Sequence, residues 1–162
     1  MDSGTIIIGL IMLALCALPF ILAGRNRKSK EEKIKKSFLD LAQKNNISDL
    51  QKDIWYGSAI GINLTNHQLV FYKKIKDVET THILNLKDIQ KSKILKVNDL
   101  NNHIEKLELI LTPYGKNNNE INLEFYNAEM NPQINGEFQL IEKWNKLINE
   151  TIYSIGNFKK AV

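Results

Sequence analysis

The sequence has one cysteine, three prolines, eight glycines and only two arginines in 162 residues. A single thiol, Cys16, excludes an intrachain disulfide framework, and the low Pro and Gly content excludes collagen-like and Pro/Gly-rich disordered chains. Both arginines, Arg25 and Arg27, lie near the start, so residues 28–162 hold no guanidinium. His67, His82 and His103 stand singly, without a Cys or second His at metal-ligand spacing. No Gly-rich phosphate loop, no Gly-x-Ser-x-Gly and no nucleophile beside a base is present, so the expectation is a protein that is not an enzyme and carries no cofactor or metal.

The length fits about one domain plus a small extension. Charge is distributed unevenly. Seven of the 22 cations fall in residues 25–36 (Arg25, Arg27, Lys28, Lys30, Lys33, Lys35 and Lys36) against Glu31 and Glu32. With Asp2 also set aside, the other 15 cations match the 15 remaining acids, so residues 37–162 are neutral and offer no basic face for nucleic acid.

Thr5 to Gly24 contains no charged residue. Twenty residues at about 1.5 Å each match the roughly 30 Å of a hydrocarbon core. The start Met1-Asp2-Ser3-Gly4 lacks the positive n-region of a cleaved signal peptide. The expectation is therefore an N-terminal transmembrane anchor over 1–24 with a bend at Pro19. The cations that follow place the N-terminus outside and the remaining 138 residues in the cytoplasm, as a single-pass protein of the cell (inner) membrane. Residues 25–45 read as a basic stripe at the membrane surface, its contacts being the seven cations named above. That stripe runs into an amphipathic helix with Ile34, Phe38, Leu41 and Ala42 on one face. This face suits either the membrane surface or the folded domain, and its narrowness favours the domain.

From Asp53 the period changes from 3.6 to 2. Strands are expected over Ile54–Asn63, Gln68–Lys76, Val78–Asn85, Ile89–Val97, Lys106–Thr112 and Glu120–Tyr126, with turns at Leu64–His67 and Pro113–Asn119. Helical periodicity returns from Gly136 to Ile152. There Phe138, Ile141, Trp144 and Ile148 make a stripe suited to closing the open end of a sheet.

Gly61-Ile-Asn-Leu-Thr-Asn-His-Gln-Leu-Val-Phe71, Leu86-Lys-Asp-Ile89, Lys106-Leu-Glu-Leu-Ile-Leu-Thr112 and Trp144 in the last helix give residues 53–155 a resemblance to bacterial pleckstrin-homology-like (PH-like) and GRAM-like domains. With its expected anchor, the whole chain is also similar to a group of small bacterial membrane-anchored proteins. The resemblance implies an α+β fold, an antiparallel barrel or sandwich of six to seven strands closed by the C-terminal amphipathic helix. Six strands are counted against the usual seven, so either one is hidden in 127–134 or the second sheet is shortened. Lipid-binding members carry basic residues by the first hairpin loop. Here Leu64-Thr-Asn-His67 is uncharged, Lys73, Lys74 and Lys76 are the nearest cations, and no Arg can make a paired contact to phosphate. The reading is a binding or adaptor module for a protein partner, capturing a peptide at an open strand edge or in a groove between sheet and final helix. The alternative is an anionic-lipid sensor using Lys73, Lys74 and Lys76.

Overall fold

The run Leu69-Val-Phe-Tyr72 is apolar on both faces of a strand, and both faces are covered. Leu69 and Phe71 point into the main core, while Val70 and Tyr72 point to the opposite side, where a helix lies over them. The structure, a computed structural model, describes Met12, Leu13, Cys16, 28–115 and 119–160. Its elements are α1 (28–44), β1 (Gln51–Trp55), β2 (Ser58–Asn63), β3 (Gln68–Ile75), β4 (Val78–Asn85), a 3-10 turn (Leu86–Asp88), β5 (Ile89–Asn98), β6 (Ile104–Pro113), β7 (Ile121–Asn127) and α2 (Glu137–Lys160). Two antiparallel sheets result, of order β1-β2-β3-β4 and β5-β6-β7. The inner faces of both sheets enclose one core with α2, to which Ile141, Trp144, Ile148 and Ile155 contribute.

The strand expected over Ile54–Asn63 is two strands. Trp55 pairs with Ser58 across a two-residue turn, Tyr56-Gly57, and β1 runs back to Gln51. Gly57 has φ +64°, and a Cβ there would sit 2.8 Å from the Lys74 carbonyl oxygen. Only glycine fits both the left-handed backbone and the close approach. The seventh strand is therefore β1, and it is hidden neither in 127–134 nor lost by shortening the second sheet.

α1 packs on the outer face of the four-stranded sheet. Ile34, Phe38 and Ala42 are buried with Ile47, Ala59, Val70 and Tyr72 in a second apolar cluster. The helix ends at Asn46, φ +56°, with Ile47 N–H bonded to the Ala42 carbonyl at 2.9 Å and Asn46 N–H to that of Gln43 at 3.0 Å. This is a Schellman stop, with the apolar contact between Ile47 and Ala42 that usually accompanies it. Gly61 makes room for the helix, because a Cβ there would lie 2.8 Å from Cζ of Phe38, a fully buried ring. Gly61→Ala is expected to cost about 1–3 kcal/mol by overpacking, read as a lower urea midpoint at unchanged m-value.

Among the described residues no helix is long and apolar enough to cross a membrane. α1 carries Lys28, Lys30, Lys33, Lys35 and Lys36, and α2, although 24 residues long, carries Glu137, Glu142, Lys143, Lys146 and Glu150. The expected fold class, with its N-terminal transmembrane helix, is corrected to two antiparallel sheets of four and three strands with a C-terminal helix. The expected single-pass membrane attachment, integral partnership with a bilayer and inner-membrane placement with a cytoplasmic domain are thus supported by no helix among the described residues. Of the segment expected to span, Met12, Leu13 and Cys16 are helical, and its other residues lie outside the described ones.

Candidate functional site

Side chains occupy two of the sheet edges. On β5, Asn149 of α2 acts as a substitute strand: its Oδ1 accepts from Ser92 N–H at 2.9 Å and its Nδ2 donates to the Ser92 carbonyl at 3.0 Å. Asn145 holds the Ser92 hydroxyl at 2.7 Å. On β7, the Phe125 carbonyl accepts from Trp55 Nε1 at 2.8 Å, and Lys73 Nζ reaches the Glu124 carbonyl at 3.5 Å. α2 is locked on its β1 side as well, where Trp144 Nε1 and Lys143 Nζ donate to the same Asp53 oxygen at 2.8 and 2.6 Å. Hydrogen-bonded side chains thus join α2 to both sheets, at Ser92 of β5 and Asp53 of β1.

A groove of 330 Å³ opens instead where the two sheets face each other, between the β3–β4 turn and β7. Phe71, Ile75, Val78 and Met130 give it apolar walls, and Lys73 and Glu124 its charged side. Lys73 and Glu124 form a close ion pair, with Asn127 Nδ2 donating to the other Glu124 oxygen at 3.3 Å. Lys106 extends the network, 2.8 Å from Glu108 and 3.4 Å from Glu124.

Burial works to raise the Glu124 pKa, but the hydrogen bond and charge of Lys73, with Asn127 and Lys106, outweigh it and hold the carboxyl below its ordinary value of 4.5. The Glu108 hydrogen bond raises the pKa of Lys106, burial opposing it, and the charges of Glu108 and Glu124 add to the rise. For Glu124 the unfolded chain binds its proton more tightly than the folded one. Its contribution is therefore present above the unfolded value and lost as pH falls through the folded value. The urea midpoint of the protein is expected to fall as pH drops below about 4.5, and in Glu124→Gln that part of the slope disappears. An unchanged slope in Glu124→Gln would place acid sensitivity elsewhere.

β4 flanks this groove with an edge that carries no such cover. Among the described residues it pairs only with β3, from Ile75↔Val78 to Gln68↔Asn85. Counting from the closing pair of this two-residue hairpin, Val78, Thr80, His82 and Leu84 turn their backbone groups to β3, so Glu79, Thr81 and Ile83 turn theirs outward. Among the described residues none of those three N–H groups has a backbone or side-chain acceptor. Val78 is 71% exposed, and Glu79, Thr80 and Thr81 are exposed beside it. Farther along, His82 packs against the Phe71 ring, centroids 6.2 Å apart, and burial lowers its pKa.

The cations singled out in the sequence do not converge. Lys73 lies on the inner face and is paired with Glu124, whereas Lys74 points to the other face and pairs with exposed Glu79 at 3.4 Å. Lys76 is exposed in the turn at φ +55°. Lys28, Lys30, Lys33, Lys35 and Lys36 are exposed on α1, while Arg25 and Arg27 lie outside the described residues. Ile141, Trp144 and Ile148 are fully buried, and Phe138 is partly buried with the Lys96 ammonium 5.6 Å from its ring centre. Sequence reasoning missed Glu124, Met130 and the β4 edge. Glu124 reads as one more solvated charge on an alternating strand, and only the approach of β3 to β7 makes it a partner for Lys73.

His103 and Asp99 form the one His–carboxylate pair of the described residues, 3.3 Å apart on an exposed turn. No group of three or more His, Cys, Asp or Glu among those residues is placed to hold a metal ion. Compared with known proteins, the chain matches no family model, no curated protein and no solved structure.

Proposed function

We propose that this protein is a non-catalytic binding module of the PH-like kind, which captures an extended segment of a partner protein as an added strand along β4. Support for the PH-like reading comes from the meander of four strands, the second sheet of three and the closing helix with its buried Trp144. The observation that carries the binding reading is the row of outward N–H and C=O groups at Glu79, Thr81 and Ile83, left open while β5 and β7 are covered and β1 is only five residues long. Their alternation along the strand is matched by the backbone of another extended chain. Edge strands are ordinarily guarded by Lys, Pro or bulges, yet β4, Val-Glu-Thr-Thr-His-Ile-Leu-Asn, is regular and holds a single charge. A strand added there lays its inward side chains beside Val78 and Thr80, over the apolar groove.

The test uses peptides enriched from a random library on the folded protein. Thr81→Pro removes one outward N–H and leaves the β3–β4 ladder intact, so the variant folds. Binding is expected to weaken at least tenfold, about 1.4 kcal/mol, in Thr81→Pro, and to change little with ionic strength. Equal affinity for both proteins would refute strand addition at β4.

A further inference from the structure

We infer that Asn135 is a site of spontaneous covalent modification, in which the Gly136 amide nitrogen attacks the Asn135 side-chain carbonyl carbon. Asn135-Gly136 is the only Asn-Gly step in the sequence. The absence of a side chain on the following residue is what lets a backbone nitrogen reach the preceding amide. The surroundings leave that path open. Gly136 has φ +95°, and a Cβ built on it would meet nothing nearer than Gln139 Oε1 at 4.0 Å. Its N–H has no acceptor among the described residues, the segment 128–136 is neither helix nor strand, and Asn135 is exposed. The Asn135 amide is held only by one long bond, Nδ2 to the Gln133 carbonyl at 3.3 Å.

Hydroxide takes the Gly136 N–H proton, the nitrogen bonds to Cγ, and the water so formed returns a proton to Nδ2 as the Cγ–Nδ2 bond breaks, releasing ammonia and regenerating hydroxide. Water then opens the succinimide at either carbonyl. Opening at Cγ gives Asp, and opening at the main-chain carbonyl gives isoaspartate, with the chain rerouted through Cγ. No oxidant or reductant is needed.

The position makes this change consequential. Gly136 stands immediately before α2, its carbonyl accepting from Leu140 N–H at 3.0 Å. Glu137, only 4% exposed, takes the Asn135 N–H on its Oε2. Either product sets a second carboxylate beside that buried one, and isoaspartate also lengthens the backbone by one carbon at the entry to the helix that carries Trp144.

The full chain, incubated folded in mildly alkaline buffer and digested, is read by mass spectrometry. Asn135 is expected to gain the mass of an amide-to-acid exchange ahead of every other Asn, as two chromatographically separate isomers. Loss of ammonia should be severalfold slower in mildly acidic buffer and absent at this position in Asn135→Gln. An Asn135 that stays intact in the folded protein while converting in urea would overturn the inference, because the native backbone would then be what protects it.

Discussion

Trp144→Ala is expected to destabilise the protein by about 3–5 kcal/mol, a large share of the roughly 5–15 kcal/mol that holds a domain folded. The indole is fully buried and central to the core between α2 and both sheets. Its removal leaves a cavity and takes from Asp53 one of two donors, Lys143 keeping the other. Trp144→Phe separates these effects: most of the apolar contact survives, and about 1.5–3 kcal/mol is lost with the charged hydrogen bond. Trp55, stacked on Phe125 with centroids 4.7 Å apart, remains as the fluorescent reporter of unfolding in both variants. A loss below about 1 kcal/mol in Trp144→Ala would mean that α2 is not part of the core.

The second large effect belongs to α1. Phe38 is fully buried over Gly61, in a cluster separate from the main core, so Phe38→Ala is expected to cost about 3–5 kcal/mol in the single unfolding transition of the whole domain. Lys35→Ala, on the exposed side of the same helix, should stay within about 0.5 kcal/mol. If α1 were an appendage, Phe38→Ala would lower helicity by circular dichroism while the main transition kept its midpoint.

These two helices differ in how much of their role the sequence carries. The stripe of Ile141, Trp144 and Ile148 is wide, aromatic and apolar, and the only structure that covers such a face is a core. The stripe of Ile34, Phe38 and Ala42 is narrow, and it suits a bilayer surface as well as a sheet. What decides is Ala59, Gly61 and Val70 on the far face of β2 and β3, residues too small or too ordinary to announce that a helix lies on them. Alternation places strands over 68–76, 78–85, 89–97, 106–112 and 120–126, each within two residues of the observed bounds. It fails at Tyr56-Gly57, because β2 is buried on both sides, so no change in alternation marks where one strand ends and the next begins.

The groove and the open edge were illegible for a different reason. Nothing in Val78 to Asn85 distinguishes an edge strand from a central one, and the difference is made by the chain leaving through the 3-10 turn at Leu86–Asp88 to start a second sheet. The pairing of Lys73 with Glu124, 51 residues apart, likewise exists only once β3 of one sheet and β7 of the other come together. The apolar run 5–24 taught the opposite lesson, since a strong local signal led to a membrane span that no described helix provides.

Amide hydrogen exchange along β4, with and without an enriched peptide, tests strand capture most directly. In the free protein the N–H groups of Glu79, Thr81 and Ile83 are expected to exchange quickly and those of Thr80, His82 and Leu84 slowly. Peptide should bring the first three to the protection of the second. Protection already present at Glu79, Thr81 and Ile83 without peptide, or unchanged when peptide is bound, would contradict the account.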